Sequence, residues 1–287
     1  MNNNEPSHVR EEKEKVSEHY DIDPRVFEYF LDEDMNYSCA YFAKGDEDLD
    51  VAQRKKMDLI ARKIDLSRGD KLLDVGCGWG NALLYYGENY GCEATGLTIA
   101  ENQAEAIEKK VQEKGLEERV TVEVEHFQET SLPPDSFDAI IFIGSIIHIE
   151  DRAGAAKLAN SLLKEDGRLL ISETYLPGKK EKLEDRAANF IAEDVFGYGN
   201  LITPGEEIRF LEEAGFELLD VENITGHYVR TLDIWIDRVK KRKKEIDETV
   251  PGESKKLRTY LTLARRALKR RTSLQEQILV RKLKERS

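Results

Sequence analysis

The stretch K-L-L-D-V-G-C-G-W-G-N, residues 71–81, constrains the chain more than any other. Its first half suits a buried strand, glycines at 76, 78 and 80 force a tight turn, and a helix is expected from Asn81. Strand, glycine turn and helix open a βαβ unit, and the residues downstream repeat the alternation. Strands are expected at 93–97, 120–125, 137–143 and 168–172, with helices at 100–114 (ended by Gly115) and 158–163. Strands as apolar as F-D-A-I-I-F-I, alternating with helices, mean a parallel sheet covered on both faces, an α/β Rossmann-like fold.

The flanks differ from this core. Ahead of it, helices are expected at 1–20, at 23–32 with Asp23 as cap and Pro24 in the first turn, and at 50–64. The aromatic, irregular N-Y-S-C-A-Y-F lies between the last two. After Pro177 the alternation breaks. A helix is expected at 179–196, a loop at 197–205, a helix at 206–214 and a sixth strand from Phe216. Amphipathic helices rich in Lys and Arg follow at 232–246 and 254–269, then a last strand at 275–280. The implied organisation is an N-terminal helical lid (1–66) and a core (67–287). The core carries a helical insertion at about 178–215 and basic helices at about 232–270.

A helix N-terminus after a glycine turn first suggests a phosphate. The dinucleotide fingerprint G-x-G-x-x-G is not met, because Gly76, Gly78 and Gly80 are spaced G-x-G-x-G. Glycine at alternate positions lets the backbone lie flush against a flat, uncharged nucleoside. Asp74 just before the turn could accept from a ligand ammonium. That combination suits S-adenosylmethionine (SAM). At the tip of the second strand, where a dinucleotide site wants a carboxylate, the sequence has Thr98, with Gln103 one helical turn on. Glu101 competes with Gln103 for the ribose, although an acid at a helix start also serves the helix dipole.

H-Y-D-I with F-E-Y-F-L-D (19–32), Y-S-C-A-Y-F (37–42), L-L-D-V-G-C-G-W-G (72–80), G-L-T-x-x-x-N-Q (96–103) and H-Y-V-R-T-L-D-I-W (227–235) occur in that order. With these motifs the chain resembles the cyclopropane-fatty-acid synthase and mycolic acid methyltransferase family, SAM-dependent enzymes that methylate double bonds of lipid acyl chains. The resemblance implies a class I SAM-methyltransferase fold and a lipid acyl substrate. It implies that Tyr37 and Ser38 cover the methionine end of the cofactor and that Gly76 and Gly78 line it. Thr98 and Gln103 would hold the ribose. Phe127 and Gln128 fall where the family has a Trp-Glu pair at the adenine, and Phe127 could equally be core.

In that family, methyl transfer to an alkene leaves a carbocation. Aromatic rings can stabilise it, and Tyr175, Phe190, Phe196, Tyr198, Tyr228 and Trp235 are available in the expected pocket region. A base then closes the ring. The resemblance implies a bicarbonate, held by a cysteine backbone, a Glu, a His and a Tyr. Cys39 and Tyr228 match, but Ile147 stands at the Glu position and Ser172 at the His position. His148, Glu150 and Glu173 are nearby substitutes, so Cys39, His148, Glu173 and Tyr228 are the catalytic candidates. Either an unsaturated acyl chain is methylated with a rearranged base or a product that needs no ring closure, or the pocket serves a small amine or hydroxyl nucleophile. A non-catalytic SAM-binding scaffold is disfavoured by the intact cofactor motifs.

Composition bounds the partners. A net charge of −13 argues against nucleic acid. The charge is uneven: from Arg238 onward there are 18 Lys and Arg against 6 Asp and Glu, leaving −25 on the first 237 residues. Such a tail is either a solvated helical face or a surface for anionic lipid headgroups or an acidic carrier protein. It favours the lipid over a soluble amine. Three cysteines without metal-ligand spacing, no apolar run of spanning length and a polar N-terminus imply a cytoplasmic protein with no metal, and the basic tail leaves room for a peripheral place at the membrane.

Overall fold

The computed structural model describes residues 23–178 and 200–284. Helices expected over 1–20 and 179–196 lie outside them, as do Phe190, Phe196 and Tyr198. The described elements are α1 (Pro24–Glu28), α2 (Leu49–Lys63), β1 (Lys71–Val75), α3 (Asn81–Asn89), β2 (Glu93–Thr98), α4 (Glu101–Lys114) and β3 (Val120–Val124). They continue with β4 (Phe137–Ile143), α5 (Arg152–Leu162), β5 (Leu163–Tyr175), α6 (Pro204–Glu213), β6 (Phe216–Asn223), α7 (Thr225–Lys241), α8 (Lys243–Thr249), α9 (Glu253–Lys269) and β7 (Leu274–Lys282).

The strands form one sheet in the order β3-β2-β1-β4-β5-β7-β6, the expected α/β architecture. Strand β7 is inserted between β5 and β6 and runs antiparallel to both. The strand order reverses between β1 and β4, which opens a crevice at their carboxyl ends. Two apolar layers cover the sheet. One packs Ile60, Leu83, Tyr86 and Ile107 on it. The other packs Phe127, Ile146, Ala155 and Leu211. Helix α6 belongs to this second layer, so the described part of the expected insertion packs on the sheet beside α5.

Several boundaries differ from the sequence expectation. Helix α5 begins at Arg152 rather than 158, since Asp151 accepts from Gly154 N–H as a cap. The helix expected at 232–246 starts at Thr225 and breaks at Arg242. His227 and Tyr228 are therefore helical, and their side chains point from the first turn of α7.

The two ends of the described chain share a third core. Val26, Phe27, Phe30, Leu31 and Leu49 pack against Leu232, Trp235, Val239, Leu257 and Leu261. Trp235 is fully buried there, with Phe30 and Tyr37 rings 6.0 and 5.3 Å away. Polar bonds register this cap. Phe42 N–H donates to His227 Nδ1 at 3.1 Å, Ala40 N–H donates to Thr231 Oγ1 at 3.1 Å, and Arg230 lies 4.5 Å over the Phe42 ring. The Y-S-C-A-Y-F and H-Y-V-R-T-L-D-I-W motifs, far apart in sequence, are thus the two halves of one clamp.

Beneath α5, Arg152 pairs with Glu207 of α6, with side chains 2% and 1% exposed. Arg152 also donates to Ile149 O and Asn200 O. Removing one partner strands the other's charge in the core. Glu207→Ala should cost about 3–5 kcal/mol of unfolding free energy, whereas the double change Arg152→Met with Glu207→Leu should cost much less. Urea denaturation of the three proteins checks this, and equal losses would contradict it.

Candidate functional site

The glycine turn closes the crevice from below. Gly76 N–H and Cys77 N–H both donate to Leu97 O at 2.9 Å, which folds the turn back over β2. Gly76 has φ +74°, and a Cβ built on it would stand 2.5 Å from Ser145 Cβ. A side chain there is excluded by strain and by Ser145, not by intrusion on a nucleoside as the sequence suggests. Gly78 has φ +55°, and its Cβ would meet nothing, at the wall of the open crevice. Ser145 Oγ, after β4, donates to Val75 O and pins the ends of β1 and β4 together.

Above the turn lies a cavity of about 630 Å³. Its walls bring together Tyr37, Ser38, Asp74, Gly76, Gly78, Thr98, Gln103 and Phe127 from four segments of chain. Thr98 Oγ1 donates to Gln103 Oε1 at 2.8 Å, which orients the Gln103 amide. Phe127 is buried and edge-on to Phe142, its ring centroid 5.3 Å away, so it serves both core and cavity. Gln128 is not among the lining residues. Its amide donates to Asp151 O at 3.5 Å, and His126 and Glu125 face the cavity instead.

Sequence reasoning missed Lys56. It is 1% exposed, at the cavity wall, and donates to Ser38 Oγ at 2.8 Å and Asn36 Oδ1 at 3.2 Å. Asn36 is held in turn by Asp32 at 2.6 Å, and Asn81 Nδ2 donates to the same Asn36 Oδ1. One signal existed. Lys56 and Gln53 fall in the buried stripe 49, 52, 53, 56, 57, 60 of α2, where polar side chains need partners. Burial pushes the Lys56 ammonium down to about 8, opposed by the nearby Asp32 and Asp74 carboxylates. Burial likewise pushes Asp74 up to about 7, with Lys56 pulling it back.

A second, smaller chamber of about 40 Å³ shares Tyr37, Ser38, Gly144 and His148 with the cavity wall. Cys39, His148, Glu173 and Tyr228 all line it, so the four catalytic candidates converge, together with Ile147 and Ser172. Tyr260 of α9, a position sequence reasoning passed over, lines it too and hydrogen-bonds Tyr37. The Cys39 thiol is buried, and burial pushes it well above its ordinary range, so its side chain is no nucleophile. Glu150 is exposed and does not line the chamber. Tyr175 and Trp235 are fully buried in the sheet and cap cores rather than at either cavity, which removes them as cation-facing rings.

A sequence profile described as mycolic acid cyclopropane synthetase matches residues 7–278. The chain belongs to that family. It is a SAM-dependent methyltransferase, and SAM is its cofactor. A probable fatty acid methyltransferase of Pseudomonas putida is 32% identical over 260 residues, 88% of this chain and 65% of that protein. The chain thus spans just under two thirds of that relative. The cyclopropane synthase MmaA2 of Mycobacterium tuberculosis superposes with a TM-score of 0.89 at 29% identity, covering 98% of this chain and 100% of that one. Mycolic acid cyclopropane synthase CmaA1 complexed with SAH and CTAB gives 0.89 at 29%, covering 97% and 99%. The cavity suits the family's cofactor: it has one buried carboxylate and one buried ammonium for an amino acid, and a glycine floor open to a nucleoside.

Among the described residues no group of His, Cys, Asp and Glu could hold a metal ion, and no helix is long and apolar enough to cross a membrane. Much of the basic tail is paired locally: Lys241 with Asp237, Arg242 with Glu245, Lys244 with Glu248, and Arg265 with Asp233. That pairing fits the solvated-face reading of those helices.

Burial pushes the Glu173 carboxyl up to about 7, against its N–H donors Thr174 and Ile147 and the Arg152 charge. Because this pKa is raised on folding, the stability it contributes is complete below the unfolded value and is lost as pH rises through the folded one. Wild type should therefore lose about 3 kcal/mol relative to Glu173→Gln between pH 4.5 and pH 7.5. Denaturant unfolding of both proteins across that window measures it, and parallel pH curves would mean that Glu173 is charged throughout.

Proposed function

We propose that this enzyme transfers a methyl group from SAM to a carbon–carbon double bond in the acyl chain of a lipid. The observation that carries the reading is the convergence of Cys39, His148, Glu173 and Tyr228 on a small chamber that shares walls with the cofactor cavity at Tyr37 and Ser38. The names of the relatives, a fatty acid methyltransferase and two mycolic acid cyclopropane synthases, support an acyl substrate.

SAM, when bound, supplies an electrophilic methyl group. The chain's residues do the rest. Asp74 accepts from the cofactor's ammonium and Lys56 faces its carboxylate, while Tyr37 and Ser38 close over the methionine end. Gly76 and Gly78 leave room for the nucleoside, Thr98 and Gln103 hold the ribose, and Phe127 offers a ring edge near the base. The cap formed by the N-terminal segment and α7–α9 acts as a lid that keeps water from the alkene, a weak nucleophile for which positioning does most of the work. A small amine is the second reading, because a buried carboxylate at the end of a cavity also suits a cationic nitrogen.

Mass spectrometry of lipid from cells expressing the chain and fed methyl-labelled methionine tests the acceptor. A gain of one labelled methylene per acyl chain is expected. No labelled lipid, with SAM still binding the pure protein, would shift the acceptor to a small molecule. The cofactor roles predict a pH dependence of their own. Protonated Asp74 must release its proton to receive an ammonium, so SAM affinity should fall about tenfold for each pH unit below about 7. Calorimetric titration should find that slope in wild type and not in Asp74→Asn.

A further inference from the structure

The small chamber holds a carboxyl group of the protein's own. Glu173 is 3% exposed, with Oε1 accepting from Thr174 N–H at 2.7 Å and Oε2 from Ile147 N–H at 3.2 Å. Each carboxylate oxygen has a second acceptor site beyond that bond. Around it stand Cys39, His148, Ser172, Tyr228 and Tyr260, and among the described residues no Lys or Arg lines the chamber.

The family pattern puts a bicarbonate here, gripped by a Glu and a His. Ile147 offers no polar side chain and Ser172 only a hydroxyl, so that grip is absent. Beside an ionised Glu173 a bicarbonate would not stay ionised as well, and position 172 supplies no imidazole to hold it, so one anion or the other serves there. The two groups are chemically alike, however: each presents a planar pair of oxygens sharing one negative charge. What the chain has lost in ligands for an anion it has gained in an anion fixed to β5.

We propose that the Glu173 carboxylate is itself the base of the reaction, in the place of an inorganic anion. The proposal rests on the acyl-methylation reading above. The alkene π pair forms a bond to the methyl carbon as the S–CH3 bond breaks, its electrons staying on sulfur. The other alkene carbon is left cationic. A Glu173 oxygen removes one proton from the transferred methyl, and the freed C–H pair closes the third bond of the ring onto the cationic carbon. Glu173 ends as the neutral acid and returns its proton to water after product leaves. Burial helps twice. It makes the carboxylate more basic than an exposed one, and it excludes water that would quench the cation. Arg152 and Glu207, further along the same buried network, bias its charge in opposite directions.

Two measurements on the purified full chain decide the matter. In the first, carbon-13 bicarbonate is added to the SAH-saturated protein and followed by NMR. Wild type should show no saturable binding, and saturable binding would overturn the proposal. In the second, labelled methyl transfer to vesicles of unsaturated phospholipid is assayed in carbonate-free and in bicarbonate buffer. Wild-type rates should agree within about twofold, and kcat should rise with pH through about 7 as Glu173 ionises. Glu173→Gln should lose at least about 100-fold in kcat with SAH affinity kept, and in Glu173→Ala, which leaves room for it, added formate should restore part of the rate, which a merely structural role would not allow. Product that forms in wild type only with bicarbonate, or full activity in Glu173→Gln, would overturn the base alone. No methylated lipid under any condition would overturn the acyl reading and the base with it.

Discussion

The ammonium of Lys56 is the interaction on which the site depends. Burying a lone charge is costly, and burial is sustained here only because Ser38, Asn36 and the acidic field of Asp32 and Asp74 surround it. Those partners come from different parts of the chain. Asn36 and Ser38 belong to the irregular segment of the cap, Asp74 ends β1, and Asn81 begins α3. One buried cation therefore ties the cap to the floor of the cofactor cavity. Without it, the loop carrying Tyr37, Ser38 and Cys39 would have to satisfy its polar groups with water.

That tie explains how a dry reaction chamber can exist beside an open crevice. The cap has its own apolar core around Trp235, and the clamp through His227 and Thr231 fixes the height at which Cys39 and Tyr228 meet β5. The sheet contributes Glu173 from the interior strand β5, where register with β4 and β7 leaves the side chain little freedom. Charge and catalytic geometry are thus set by rigid elements, while the cofactor side is built from turns and helix starts.

Much of this was legible in the sequence. The glycine turn, the apolar strands and the Gly115 stop are local signals, and local chemistry decides them. Thr98 and Gln103 were legible for the same reason, being five residues apart on one strand-to-helix turn. Lys56 was harder to see, because a lysine within a charged helix looks solvated until the irregular segment ahead of that helix folds back over it. Trp235 and Tyr175 looked like pocket aromatics, since composition does not tell a cavity wall from a core. The start of α7 at Thr225 was hidden because no side chain of the preceding residue caps it. The convergence of Glu173 with Cys39 and Tyr228 depends on long-range pairing that no window of sequence contains.

The placement of β7 bears on how the chain comes to be folded at all. Residues 274–282 lie between β5 and β6, so neither of those strands has its neighbour until nearly the whole described chain has left the ribosome. Until then β5 presents an open, strongly apolar edge, and β6 has nothing to pair with. Contacts spanning about a hundred residues close late and slowly. The strand that seals the sheet also fixes the carboxylate-bearing strand beside it. The nascent enzyme therefore passes through a stage in which cofactor-site elements are synthesised but its chemistry is unassembled, and in which self-association competes with completion of the sheet.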